Sequence, residues 1–288
     1  MRWPEYLAMA KLAEDVGFDT LWLGDHLLYR FNDGSSRGPR EVWTMLAALA
    51  ASTSRIRLGP LVASTAFHAP AMLAKLAATV DEVSGGRLIL GLGAGWNETE
   101  FAAFGFPFDH RIDRFEEAFT IIRTLLREGA IDFDGRYYQA RDCELLPRPA
   151  RPGGPPILIG STGPRMLRIT MAHADAWNTW YADIGNSPAG LAPLTALVDD
   201  ACRDVGRDPA AIERTAAVLV RLAGGSGRVM GDLRSATIPP LTGTPGEIAA
   251  GLRGYAAAGM AEVQLVVDPI TTQSIEALAP VLEALDQG

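Results

Sequence analysis

The chain has 288 residues, 48% of them hydrophobic and 21% charged, with a formal net charge of −8; this is ordinary globular composition, with room for one large core or two smaller ones. The acidic balance speaks against nucleic acid or an anionic membrane as a main partner, since both need a basic face. Two widely separated cysteines, Cys143 and Cys202, argue against a disulfide framework or zinc ribbon. With no apolar run near the roughly 18 residues of a membrane helix and no signal-peptide pattern at the start, the chain reads as cytoplasmic.

In chain order, "RWPEYLAMAKLAEDVG" reads as a helix, with Pro4 in its first turn and Gly17 as its stop. A short apolar strand follows at 19–24, a helix at 41–53, a strand at 55–63, a helix at 69–86 and a strand at 87–93. Residues 110–129 form a strong amphipathic helix, because Ile112, Phe115, Phe119, Ile122 and Leu126 recur at spacings of three and four. Residues 131–145 suggest a β-hairpin turning at Asp134-Gly135. Then come a strand at 155–160, a helix at 163–174, a strand at 175–180, a helix at 188–206 and a strand at 213–223. A polar Gly-rich loop covers 224–243, and a helix at 244–259, a strand at 261–267 and a helix at 272–285 complete the chain.

Strands alternate with helices and are short and continuously apolar, as in a parallel sheet covered on both sides. No linker-like change of composition divides the chain, so residues 1–288 are expected to form a single (β/α)8 TIM barrel. The count is eight helices and seven barrel strands, and the first element is a helix. A barrel of this type opens on a strand, so strand 1 is expected to be missing; an open doubly wound sheet is the alternative.

The stretch "RLILGLGAGWNETEF" (87–101) tests the chemistry. A dinucleotide fingerprint needs a third glycine where Trp96 stands, and its next strand close behind; here that strand begins some sixty residues on. The glycines at 91, 93 and 95 either let the strand pass close to a flat ligand or relieve crowding at the barrel rim. A Schiff-base enzyme needs a lysine at a strand end, but Lys11 and Lys75 both fall on helices. No HxH pair supports a metal-dependent hydrolase, and no GxSxG elbow is present. The C-terminal strand ends, where barrel sites lie, carry Asp25-His26, Ser64, Thr65 and His68, Ala94 to Glu98, "GSTGPR" (160–165), and Trp177-Asn178. This set is rich in hydroxyls, amides and backbone donors and poor in charged catalytic groups, which suits a cofactor that brings its own chemistry. The turn Gly160-Ser161-Thr162-Gly163 is the candidate phosphate cradle, with Arg165 adding charge, though an ordinary capped turn has the same composition. His110 reads as helix-terminal surface and His173 as a buried structural residue.

"GFDTLWLGDHLL", "RIRLGPLV", "DEVSGGRLILGLGAGWNETEFAAFGFPF", "RFEEAFTIIRTLL", "FDGRYYQ" and "PPILIGSTGPRML" together resemble the bacterial luciferase-like family of flavin- and deazaflavin-dependent oxidoreductases, in order and over nearly the whole chain. The resemblance implies a luciferase-like barrel with a flavin or deazaflavin across the strand ends. It implies Asp25 and His26 beside the ring as candidate catalytic residues, Thr65 supporting the ring, and the glycines around residue 91 as the wall of the ring pocket. The family keeps a non-proline cis peptide in the strand-3 bulge under the ring, expected here within Gly59–Val62, with Leu61 or Val62 taking the cis bond. Asn97 would meet the ring's polar edge, and Gly160, Ser161, Thr162 and Gly163 would hold the phosphate; no metal site is implied. The glutamate that serves as acid in the sugar-phosphate dehydrogenase branch is replaced by Ala94, so that branch's substrate does not carry over.

The expected activity is hydride transfer between coenzyme F420, a deazaflavin, and a small organic substrate. Three arginines in loop 27–40 suit that coenzyme's anionic tail, and arginine replaces lysine almost throughout, as in GC-rich organisms that make it. The alternatives are an FMN-dependent two-component monooxygenase, served by a separate flavin reductase, and a non-catalytic flavin-binding protein. Loops 27–40 and 224–243 would shape the substrate site, with Arg30, Arg37, Arg40, Arg228 and Arg234 as candidate anion contacts. Apolar residues run around much of helices 41–53 and 69–83, which suggests a homodimer.

Overall fold

The computed structural model describes residues 1–227 and 238–287; Arg228, Arg234 and the middle half of the predicted loop 224–243 lie outside them. The first elements are α1 (Trp3–Val16), β1 (Thr20–Leu23), the short β2 (Tyr29–Arg30) and β3 (Ser36–Arg37), α2 (Val42–Ser52), β4 (Arg57–Pro60), β5 (Ala63–Ser64), α3 (Pro70–Val83) and β6 (Leu90–Gly93). The middle contains α4 (Glu98–Phe104), α5 (Arg111–Arg127), β7 (Ala130–Asp134), β8 (Gln139–Glu144), β9 (Ile157–Gly160), α6 (Pro164–Thr170), β10 (Ala176–Thr179) and α7 (Leu191–Asp204). The last elements are β11 (Glu213–Arg221), α8 (Pro245–Ala257), β12 (Glu262–Asp268) and α9 (Thr272–Asp286). No helix among the described residues is long and apolar enough to cross a membrane.

The central sheet is parallel throughout. One ladder joins β1 to β4, another runs β12-β11-β10-β9-β6-β5, and a parallel bridge between Leu58 and Leu88 connects them. β4 and β5 are one barrel strand interrupted at Leu61-Val62, whose peptide bond is cis, within the bulge where the resemblance implied it. The barrel therefore has seven strand positions among the described residues, in sequence order, and β12 and β1 are not hydrogen-bonded to each other. The expected gap at strand 1 is present, and side chains cross it. Glu262 at the start of β12 accepts from Trp22 Nε1 of β1 at 3.0 Å and from Arg57 of β4 at 2.9 Å.

The core follows the predicted periodicity. Phe115, Phe119, Ile122 and Leu126 of α5 are buried against Leu73 and Ala77 of α3 and Leu90 and Leu92 of β6, while Ile112 packs at the margin of the same cluster. A second cluster joins β11 and β12 to α8 and α9.

Three local readings need correction. The hairpin β7–β8 turns through four residues, 135–138, because Glu117 of α5 accepts from the backbone of Arg136, Tyr137 and Tyr138 at 2.8–2.9 Å. Loop 27–40 contains an antiparallel pair, β2–β3, with Tyr29 opposite Arg37. His173 is exposed, not buried.

The glycines of the quoted stretch answer to the bulge. A Cβ at Gly91 would lie 2.1 Å from the Pro60 carbonyl oxygen, and at Gly93 it would lie 2.7 Å from Val62 Cγ2. At Gly160 it would lie 2.8 Å from Val62 Cγ1. β6 and β9 thus lack side chains where the Val62 isopropyl group enters between them. The expected ring-pocket wall is thereby corrected: of the two sequence explanations, crowding inside the barrel accounts for Gly91 and Gly93.

Candidate active site

β1 delivers Asp25 and His26, β5 delivers Ser64 and Thr65, β6 leads to Ala94–Asn97, and β9 leads to the 160–163 turn. These four strands are neighbours in the sheet, so segments more than a hundred residues apart in sequence meet at one end of it.

Asp25 is 5% exposed. Its Oδ2 accepts the backbone N–H of Ser64 at 2.9 Å and stands 3.8 Å from His68 Nε2. Its Oδ1 takes no hydrogen bond from the described residues. The Ser64 hydroxyl and His68 Nε2 are buried without a hydrogen-bond partner. Buried polar atoms left open cost free energy unless water or a ligand meets them. Beyond His68 stands Glu41, which caps α2. Burial pushes the Glu41 carboxyl up, but hydrogen bonds from Thr44 and Trp43, aided by the His68 charge, hold it below its ordinary value.

His26 is anchored from α4, a helix absent from the sequence reading. Its Nδ1 lies 2.9 Å from Oε1 of Glu100, and Oε2 accepts from Leu27 N at 2.8 Å and Leu28 N at 3.4 Å. From one turn earlier, Asn97 Nδ2 donates to the Leu28 carbonyl at 2.9 Å. Asn97 and Glu100 are three apart and share a helix face, so "WNETEF" clamps "DHLL". Asn97, implied at the polar edge of a ring, here has its amide nitrogen committed to the loop. The His26 ring rests against Tyr29 and Trp96, with centroids 4.9 and 5.3 Å away. The signals for α4 were readable: Asn97 in the cap position, acidic Glu98 and Glu100 in the first turn, and Gly105 in the left-handed stop. That Glu100 would reach back to His26 was not.

The 160–163 turn is braced from behind. Buried Trp177 donates its indole N–H to the Ser161 carbonyl at 2.7 Å, and Ser161 Oγ accepts from Gly163 N at 3.3 Å. Ser161 and Thr162 have left β9 and not yet entered α6, so their backbone N–H groups belong to neither ladder. α6 has only seven residues, and its dipole adds little. Arg165 is not aimed at the turn; it pairs with Asp113 and Glu116 of α5. Those three residues, with Glu117, Arg136 and Tyr137, line a surface cavity of about 420 Å³ beside the hairpin, apart from the strand ends.

Asp25, His26, Ser64, Thr65 and the 160–163 turn thus gather at the C-terminal ends of a parallel barrel's strands, where barrel enzymes carry their sites. The chain belongs to the luciferase-like monooxygenase family, which it matches over residues 1–238. It is 37% identical over 175 residues to a 5,10-methylenetetrahydromethanopterin reductase of Archaeoglobus fulgidus, covering 61% of this chain and 48% of the relative. It is 34% identical over 215 residues to an F420-dependent hydroxymycolic acid dehydrogenase of Mycobacterium tuberculosis, covering 73% and 57% respectively. It is also 34% identical over 207 residues to a pyrimidine monooxygenase RutA of an Enterobacter species, covering 70% and 52%. The chain thus spans about half the length of the curated relatives it matches. Among solved structures, an F420-dependent secondary alcohol dehydrogenase in complex with an F420-acetone adduct superposes with a TM-score of 0.82 at 20% identity, over 97% of this chain and 94% of that one. The sequence relatives are enzymes of this family, some reductases or dehydrogenases and others monooxygenases.

Proposed function

We propose that this protein is an oxidoreductase that transfers a hydride between coenzyme F420 and a small organic substrate. The observation that carries the reading is the site around Asp25 and His26. A buried carboxylate with one open oxygen, the orphaned Ser64 hydroxyl and a firmly held imidazole surround the strand ends where the family binds a flavin-type ring. The fit to such a group is good. Asp25, Ser64 and Thr65 would meet its polar edge, Leu61 and Val62 would support its face, and the backbone of Gly160–Gly163 would hold its phosphate. Bound there, the deazaflavin supplies a carbon centre that takes up or releases a hydride. His26 would exchange a proton with the substrate, and Asp25 fixes the β5 segment through Ser64.

The tail of F420 carries carboxylates, which favour cationic surroundings. Arg30, Arg37 and Arg40 are exposed on and beside the β2–β3 hairpin, next to the segment that holds His26. The relationship to an enzyme whose name specifies F420 supports the same choice. The FMN monooxygenase reading has support in the similarity to RutA, and it would require a separate flavin reductase. Assembly as a homodimer through α2 and α3 is part of the proposal, since Met72 and Val83 of α3 stand 53% and 46% exposed; sedimentation as a monomer at micromolar concentration would refute that part.

Titration of the purified protein with each cofactor tests the main reading. F420 is expected to bind at micromolar concentration or tighter, and Arg37→Ala is expected to weaken F420 more than its tail-less deazaflavin analogue. Tight FMN binding with no detectable F420 binding would overturn the choice.

A further inference from the structure

We infer that Glu100 is a positioning residue that fixes the His26 ring in the Nδ1–H tautomer and so leaves Nε2 as the proton acceptor of the site. The inference deepens the proposed function, in which His26 exchanges a proton, and adds the group that decides which nitrogen does so.

Glu100 is 1% exposed, a rare position for a carboxylate unless its oxygens are satisfied. Oε2 faces the backbone N–H groups of Leu27 and Leu28, and Oε1 faces His26 Nδ1. Backbone N–H groups only donate, so Oε2 must accept. An ionised carboxylate has no proton to give, so Oε1 must accept too, and the ring nitrogen opposite it must carry the hydrogen. In a neutral imidazole the other nitrogen then holds the lone pair. Nε2 takes no hydrogen bond from the described residues, and the His26 side chain keeps 17% of its surface open. In the proton step, the bond from substrate to hydrogen breaks and the Nε2–H bond forms. Nδ1 keeps its proton, and the resulting imidazolium faces the Glu100 carboxylate.

The geometry makes a sharp forecast for Glu100→Gln. Glutamine has one accepting oxygen and one donating nitrogen where glutamate has two acceptors. The Leu27 and Leu28 N–H groups cannot change their role, so the amide oxygen goes to them and the amide NH2 turns toward Nδ1. Nδ1 must then accept, and the proton moves to Nε2. A change that is almost isosteric therefore reverses the tautomer.

The experiment is ring-nitrogen NMR on the full chain labelled at histidine, without cofactor and at alkaline pH. The protein has four histidines, and loss of one signal in His26→Asn assigns the site. The wild-type ring is expected as Nδ1–H and the Glu100→Gln ring as Nε2–H, with cooperative melting in both. An Nε2–H ring or exchanging tautomers in the wild type would overturn the inference, whether or not the variant folds. So would a folded Glu100→Gln protein with the wild-type tautomer. Because no cofactor is present, failure of F420 to bind would strike the proposed function and leave this result standing. In the loaded enzyme, Glu100→Gln should lower kcat by roughly 10²-fold, the usual size of a lost acid–base contribution, with cofactor affinity unchanged. If the tautomer reverses and kcat holds, His26 is not the proton carrier and the second half of the inference falls.

Discussion

Replacing Gly93 by alanine places a Cβ 2.7 Å from Val62 Cγ2, about 1 Å inside the contact distance at which carbon atoms attract. Gly93 has no positive φ to forbid a side chain, so the cost is steric. Inserting a methyl group into a packed interior costs about 1–3 kcal/mol. Val62→Ala removes two methyl groups worth about 0.8 kcal/mol each when fully buried; Val62 is half-buried, so that change costs about 1 kcal/mol. If the two sites were independent, the double variant would lose about 2–4 kcal/mol. The structure says otherwise, because truncating the valine vacates the space that the new methyl group on β6 enters. The double variant should be about as stable as Val62→Ala alone, a coupling of about 1–3 kcal/mol. Gly91→Ala is the control. Its Cβ meets the Pro60 carbonyl oxygen at 2.1 Å, a backbone atom that Val62→Ala leaves in place, so no rescue is expected there. Urea denaturation followed by tryptophan fluorescence gives all the numbers. Additivity of Gly93→Ala and Val62→Ala within about 0.5 kcal/mol, or rescue of Gly91→Ala, would refute the view that these glycines exist to admit the bulge.

Two further outcomes follow from buried aromatic residues. The Tyr255 hydroxyl is buried without a hydrogen-bond partner, and burial pushes the phenol from its ordinary 10.0 up to about 12. The folded state holds the proton more tightly than the unfolded state, so this contribution is complete below pH 10 and is lost as pH rises through about 12. Tyr255→Phe should therefore melt no lower than wild type at neutral pH and hold its melting temperature better above pH 10; parallel curves would count against the assignment. Trp177→Phe removes the donor to Ser161 and should cost about 1–2 kcal/mol of stability while weakening F420 several-fold. An unchanged affinity would mean that the 160–163 turn needs no brace.

The order of the barrel was legible in the chain because its strands are continuously apolar and its helices carry a regular apolar face. The seven strand positions, the gap at the first strand and the buried stripe of α5 all follow from period and punctuation, which are local properties. Asp25, His26, Ser64, Thr65 and the 160–163 turn could be proposed for the site because barrel chemistry gathers at strand ends, and each of these sits where an apolar run stops. Family resemblance supplied the rest of the expected set, including the cis bond at Leu61-Val62.

The roles of several residues were beyond local reading. Gly91, Gly93 and Gly160 suggested a ligand, yet their reason is the Val62 side chain and the Pro60 carbonyl arriving from another strand. Asn97 suggested a contact with the cofactor, but its amide nitrogen is spent on the Leu28 carbonyl. Arg165 suggested a phosphate partner, but Asp113 and Glu116 of α5 hold it. Glu100 gave no sign of function, because its significance lies in facing His26, 74 residues earlier. In each case sequence chemistry told which bonds a side chain was able to make. Only the side-by-side arrangement of strands determined which partner stood within reach, and a buried polar group must bond to whatever the fold has put beside it.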